Sequence, residues 1–204
     1  GWMRWVSFLS FLVSCSSTPV RFENENSTVN PLGNALGTSQ CDLWRDPEGV
    51  SHARAKTEYG ADACLGYLHA KDRGFHLDYL RRAAQGRLSE ILGSSKVKDD
   101  FFMRLMGLAS QAERLVPDLP EEVRNVLWAY SYGVNNGLVE ALKDESNEFA
   151  ELDYEPDPWK PEDSLAILLL ESFFETKNTF TQDVSETTWM KAWGEEGASL
   201  MTMG

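Results

Sequence analysis

The sequence contains no CxxC pair and no cysteine–histidine spacing of the kind that holds zinc. Three cysteines and three histidines among 204 residues are too few for a disulfide framework or a zinc ribbon. No HExxH is present, so the helical motif of zinc proteases is excluded. Basic residues are scarce: 19 Lys and Arg face 32 Asp and Glu, a formal net charge of −13. A nucleic-acid partner requires a basic stripe to neutralise phosphates. The densest basic stretch, Arg73 to Arg87, is interleaved with carboxylates, so nucleic acid is excluded as a partner. There is no internal repeat, which removes the solenoids.

What remains is globular composition, 42% hydrophobic and 25% charged, with ten Phe and seven Trp for aromatic packing. Met3 is the expected start, and Arg4 supplies a minimal positive flank. Trp5 to Val13 is an apolar run too short to span a bilayer, and it ends in Leu12-Val13-Ser14-Cys15. Residues 1–15 thus resemble a bacterial lipoprotein signal with Cys15 as the lipidated residue, the alternative being an ordinary secretory signal with a chance Cys. Export to the periplasm or the outer membrane follows, with a lipid anchor in the membrane. Residues 16–40, rich in Ser, Thr, Asn and Gly, read as a flexible tether. Residues 41–204 form the folded body. Cys41 and Cys64 could pair in an oxidising compartment or stand as separate buried thiols, and separate thiols are expected.

Cys41 to Arg45 and Val50 to Ala55 predict two short strands around the turn Asp46-Pro47-Glu48-Gly49. Helical spacing starts at Ala61 with Cys64, Leu65 and Leu68. It continues in shifted phase through Leu77, Leu80, Ala84, Leu88 and Ile91, and Gly93 is the expected stop. Asp100 is placed as the cap of the next helix, with Phe102, Leu105, Met106 and Ala109 facing inward. Pro120-Glu121-Glu122 opens another, with the stripe Val123, Val126, Leu127, Tyr130, Val134 and Leu138. Residues 144–158 read as a loop, and Pro161-Glu162-Asp163 starts a last helix through about Phe174. The fold class is α+β, mostly helical with a short N-terminal β-hairpin. Asp72 and Arg73 are expected to pair. Arg81 and Arg82 are expected to organise a core through buried partners. Gly66 and Gly86 lie in helical patterns and are expected to permit close helix approach. His69, Asp72 and His76 share a helical face at i, i+3 and i+7, a spacing that could hold a metal ion.

Five blocks, in order, resemble one family. They are Arg45-Asp46-Pro47-Glu48-Gly49-Val50-Ser51-His52-Ala53-Arg54-Ala55; Asp62-Ala63 with Gly66-Tyr67-Leu68-His69-Ala70-Lys71-Asp72-Arg73 and Asp78; Arg81 to Gly93; Ala129-Tyr130-Ser131-Tyr132-Gly133-Val134-Asn135; and Pro158-Trp159-Lys160-Pro161-Glu162-Asp163. Together they resemble the α-chain region of the penicillin acylases, across about residues 41 to 190. Ser51 replaces the usual Pro, and Lys71 the usual Gln.

The resemblance implies the α-chain part of an αββα N-terminal-nucleophile hydrolase fold, with His69 in the scaffold. In such enzymes a precursor cleaves itself, and the freed Ser attacks an amide with its own α-amine as base. A free α-amine titrates near pH 8, low enough to accept a proton. No Gly-Ser-Asn occurs here, and Gly93-Ser94 falls where the family keeps a helix-ending Gly. No catalytic residue is therefore assigned to this chain; the nucleophile is expected downstream, on a β-chain from the same precursor. The stretch Asn178 to Glu186 resembles the family's acyl-pocket segment, with Thr176 at the pocket Met, Phe180 at the pocket Phe, and Glu186 at the carboxylate that ligates structural Ca²⁺. Substrates implied are penicillin-like β-lactams, acyl-homoserine lactones or related small acyl amides. The alternative is a non-catalytic helical binding lipoprotein that retains the acylase scaffold. An isolated α-part is expected to expose apolar surface.

Overall fold

The computed structural model describes residues 18–21 and 40–176, together with the single positions 185, 187, 188 and 191. A three-stranded antiparallel sheet of order β1-β2-β3 precedes the helices: β1 Thr18–Arg21, β2 Gln40–Arg45 and β3 Ser51–Arg54. β2 and β3 form the expected hairpin, with Arg45 opposite Ser51 and Asp42 opposite Arg54. Its turn is closed by the Gly49 N–H on the Asp46 carbonyl at 3.0 Å and by the Val50 N–H on the Asp46 carboxylate at 2.8 Å. β1 lies within the segment read as a tether and pairs with β2 from Thr18 opposite Leu43 to Arg21 opposite Gln40.

The helices are α1 Glu58–Gln85, α2 Ser89–Leu92, α3 Val97–Met106, α4 Leu108–Leu115, α5 Glu121–Ala141, α6 Glu148–Glu151 and α7, residues 161–176. α1 is the spine. Thr57 caps it by accepting the Gly60 N–H at 3.0 Å. Its buried face is built from small residues, Ala63, Cys64, Gly66, Ala70 and Gly74, with Tyr67 among them; Leu65, expected inside, is 45% exposed. The small face lets α5 come close. A Cβ on Gly133 would fall on the Ala63 carbonyl, and one on Gly137 would meet the Tyr67 carbonyl. Gly133 faces Ala63, Gly137 faces Tyr67, and Leu138 faces Gly74, so α1 and α5 run in the same direction.

Three apolar clusters follow α1 from end to end. Cys41, Ala63, Cys64, Tyr67 and Ala129 join the sheet to the helices. Ala70, Val134, Leu138, Phe149 and Trp159 fill the middle. Ala84, Met103, Leu108, Ala112, Ala166 and Leu170 close the far end. Phe149 belongs to α6, a short helix inside the segment expected to be loop.

Other expectations need correction. Cys41 and Cys64 are not separate thiols: they form a disulfide, with Cα atoms 5.8 Å apart, because the hairpin folds back on the first turns of α1. α1 ends at Gln85 rather than near Gly93. Gly86 adopts φ 64° and caps it, and the Arg87 N–H reaches the Arg82 carbonyl at 2.8 Å. Asp100 does not cap its own helix. It is buried one turn into α3 and accepts the Leu88 and Ser89 N–H groups at 2.8 and 2.7 Å, which caps α2. The expected phase of α3 is inverted: Met103 points inward, while Phe102 and Met106 are exposed and Leu105 is 73% exposed. Asp72 pairs with Arg45 at 2.6 Å and accepts the Ser51 hydroxyl at 3.1 Å, rather than pairing with Arg73. Arg73 instead marks a break in α1, at φ −145° and ψ 35°.

Candidate functional site

The best-organised polar centre is buried between α1 and the start of α7. Asp78, Arg81 and Arg82 are only 1%, 2% and 4% exposed, so each charge must be answered within the protein. The i, i+3 and i, i+4 spacing on α1 brings both guanidiniums to one carboxylate. The Arg81 Nε donates to Asp78 Oδ1 at 3.0 Å, with a second short bond from Arg81 to the same oxygen. The Arg82 Nε donates to Asp78 Oδ2 at 2.8 Å, and the Tyr154 hydroxyl donates to that oxygen at 2.9 Å. Arg82 also reaches Glu90 at 2.7 Å. Arg81 lies over the Trp159 ring at 5.1 Å and Arg82 over the Tyr154 ring at 5.0 Å.

Arg81 carries the network into α7. It donates to the Pro158 carbonyl and to Asp163 Oδ2, both at 3.3 Å, while Gln85 donates to Asp163 Oδ1 at 2.8 Å. Asp163 in turn accepts the Lys160 N–H at 2.9 Å, so the third residue of α7 caps its first turn, with Pro161 at the first helical position. Asn135 of α5 fixes the approach from the other side. Its amide accepts the Trp159 N–H at 2.6 Å and donates to the Trp159 carbonyl at 2.9 Å. The blocks Arg81-Arg82, Gly-Val-Asn and Pro-Trp-x-Pro-x-Asp, separated by dozens of residues, are therefore one hydrogen-bonded joint. It sets the direction of α7.

The two aspartates of this joint are electrostatically different. Burial pushes Asp78 up, but the Arg81 charge and the hydrogen bonds from both arginines outweigh it and hold the carboxyl below its ordinary range. For Asp163 burial prevails over the more distant Arg81, and its carboxyl is raised. Tyr154 is pushed up by burial and by the Asp78 charge, so its hydroxyl stays a donor.

Of the expected site residues, Thr176 is described. It is the last residue of α7 that the structure describes, exposed, with its hydroxyl donating to the Ser172 carbonyl at 2.8 Å. Phe180, Glu186 and Cys15 lie outside the described residues. Two of the three residues proposed as a metal face are otherwise engaged. His69 Nδ1 sits 3.0 Å from the Tyr130 hydroxyl, and Asp72 is held by Arg45. Burial lowers His69 and pushes Tyr130 up to about 12, which favours the uncharged form of both partners. Among the described residues no group of three or more His, Cys, Asp and Glu could hold a metal ion, and no helix is long and apolar enough to cross a membrane.

Two clefts open on the surface. One of about 840 Å³ lies at the α1 break, lined by Lys71, Arg73, His76, Lys143, Asn147 and Glu148. The other, about 270 Å³, lies beside the joint and is lined by Arg81, Arg87, Glu113, Lys160 and Asp163. The first also holds Ser146, whose hydroxyl donates to the Asp144 carboxylate at 2.6 Å on the exposed surface. Apolar surface is concentrated on α3, where Phe101 is 70% exposed and Val97, Phe102, Leu105 and Met106 are exposed as well. Sequence reasoning missed Tyr154, hidden in a stretch read as loop, and the bond from Arg81 to Asp163. An acid two residues after Pro161 was the available signal for the cap.

Comparison with known proteins places these features. Residues 40–202 match the family model described as Penicillin amidase. The chain is 36% identical over 126 residues to the Penicillin acylase 2 proenzyme of Pseudomonas sp. (strain SE83), covering 62% of this chain and 16% of that protein. It is 34% identical over 153 residues to the Acyl-homoserine lactone acylase QuiP of Pseudomonas fluorescens (strain Pf0-1), covering 74% and 18%. The chain thus spans less than a fifth of the length of either relative. A thermostable penicillin G acylase from Alcaligenes faecalis has the same fold, with a TM-score of 0.63 at 24% identity, over 79% of this chain and 88% of that one. The α+β fold and the five blocks agree with the match over most of the chain: this protein belongs to the penicillin amidase family.

Proposed function

We propose that this chain is the α-chain portion of an acylase that cleaves a linear amide, its Ser nucleophile lying on a β-chain released from the same precursor. The observation that carries this reading is the buried joint of Asp78, Arg81, Arg82, Asp163 and Asn135. Such a joint costs desolvation and performs no chemistry of its own. Its effect is to aim α7, which bears Thr176. In this reading Thr176 and Phe180 line the acyl pocket. Thr at the position of the pocket Met makes that wall smaller and more polar. The acyl group comes from a penicillin-like β-lactam, an acyl-homoserine lactone or a related amide.

The exposed face of α3 favours this reading over a self-sufficient binding lipoprotein, which would bury its aromatic side chains. Glu186 is proposed as one Ca²⁺ ligand. A carboxylate oxygen suits this hard cation, but Ca²⁺ takes roughly six to eight oxygens, so most would come from the β-chain. The ion would tie the two chains together. Cys15 would anchor the exported protein in the membrane.

The test is amide hydrolysis. The 204-residue chain alone should release no acid from an N-acyl-homoserine lactone or from a phenylacetyl amide. Assembled with its downstream chain it should cleave at least one of them. Hydrolysis by the isolated chain, or inactivity of the assembled protein toward every acyl amide, would overturn the proposal.

A further inference from the structure

We propose that the Cys41–Cys64 disulfide is a latch set by compartment: the N-terminal sheet docks firmly on the helices only once both thiols have been oxidised, and docking then seals the bond. Cys41 lies in β2 and Cys64 in the second turn of α1, and the two are 0% and 1% exposed. They stand in the middle of the cluster that joins sheet to helices. Its other buried members are Ala63, Ala129 and Tyr67, and Leu43, Ala55, Tyr59 and Tyr132 pack against it only partly buried.

The polar attachments are weak. The ion pair of Arg45 with Asp72 is 2.6 Å long, but the Arg45 side chain is 56% exposed. Water and salt therefore screen it. The Ser51 hydroxyl adds one bond to the same carboxylate at 3.1 Å. The disulfide is the covalent link between the sheet and α1.

Burial gives the latch its direction. In thiol–disulfide exchange the Cys41 and Cys64 thiols react with a disulfide-bearing oxidant. The S–S bond forms between them, the oxidant's S–S bond breaks, and two electrons and two protons end on the oxidant's sulfurs as thiols. The sulfurs must be accessible for this, so oxidation precedes or accompanies docking. Afterwards no thiolate can reach them without local opening. In a reducing compartment the sheet stays loosely held; in an oxidising one it is fixed.

Hydrogen exchange with mass spectrometry on the full chain tests this. Three samples are compared: the oxidised chain, the chain reduced in denaturant and refolded in dithiothreitol, and the Cys41→Ser/Cys64→Ser variant. Amides of residues 41–45 and 51–54 should lose protection by about 300-fold in the second and third, the factor expected for a cross-link closing a loop of this size. Residues 129–138 of α5 should change less than about threefold, since local opening leaves other units closed. Unchanged sheet protection would overturn the latch. Equal loss in α5 would overturn it too, because the bond would then support the whole fold. Without denaturant, dithiothreitol should leave the bond intact for hours; prompt appearance of two free thiols would refute the sealing step.

Discussion

Replacing Asp78 by Asn removes one negative charge from a pocket that holds two guanidiniums. Arg81 keeps Asp163 and the Pro158 carbonyl, both at 3.3 Å, and Arg82 keeps Glu90. Neither replaces a carboxylate that accepts from Arg81, Arg82 and Tyr154 at once. Removing one partner of a buried ion pair costs about 3–5 kcal/mol, and D78N should fall in that range. D163N should behave differently. Its carboxyl is already raised by burial, its bond to Arg81 is long, and an Asn oxygen can still accept the Lys160 N–H. About 1 kcal/mol, one ordinary hydrogen bond, is expected. The pH dependence separates them further. Asp78 has a lowered folded pKa, so its contribution is complete above the ordinary aspartate range and is lost as pH falls through the folded value. Asp163 has a raised one. Its contribution is present below the ordinary range and is lost as pH rises through the folded value, so the penalty of D163N shrinks with rising pH. Urea unfolding of the oxidised chain, followed by circular dichroism at several pH values, measures both. Equal costs for the two variants, or less than about 1 kcal/mol for D78N, would refute the assignment of Asp78 as the charge centre.

Gly133→Ala places a methyl on the Ala63 carbonyl and should cost about 3 kcal/mol or more, read as a lowered urea midpoint. A cost under about 0.5 kcal/mol would show that α1 and α5 can separate freely. Asp100→Ala strands the Leu88 and Ser89 N–H groups and should cost about 2 kcal/mol, with faster exchange of those two amides before any change in α5. The double variant Phe101→Ser/Leu105→Ser should leave the stability of the isolated chain within about 0.5 kcal/mol while reducing its self-association in sedimentation. A large loss of stability would mean that the α3 face is packed within the chain.

Much of this architecture was legible in the sequence because its signals are local. The turn Asp46 to Gly49 between two apolar runs announced the hairpin, and Pro161 with two acids announced α7. Phase and pairing were less legible. α3 was read inside out because its apolar residues Phe102, Leu105 and Met106 form a helical stripe that stays largely exposed on this chain. A hydrophobic stripe reports that a face is to be buried, not by which chain. The buried face of α1 was legible at Cys64, Ala84 and Gly66, where close helix approach was expected, and elsewhere escaped for the opposite reason. Close approach to α5 selects Ala and Gly, which carry little hydrophobic signal. The disulfide and the pairing of Arg45 with Asp72 depend on the hairpin folding back over α1, a contact no residue spacing encodes. The end of α1 at Gly86 was masked by apolar residues that keep helical spacing beyond it. Arg81 and Arg82 could be recognised as core organisers, because two arginines among apolar residues need buried acids, but Asp163 could not be matched to Arg81 from sequence distance alone.

The function proposed for this chain is that of the α-chain portion of an amide-cleaving enzyme. The most direct test is mass spectrometry of the full-length precursor after expression, with acid release from an N-acyl-homoserine lactone measured on the same sample. The account predicts self-cleavage that exposes a new N-terminal Ser downstream of residue 204, and activity that appears with the cleaved form and is absent from the 204-residue chain. A precursor that remains intact yet hydrolyses the amide, or one cleaved at such a Ser and inert toward every acyl amide, would contradict it.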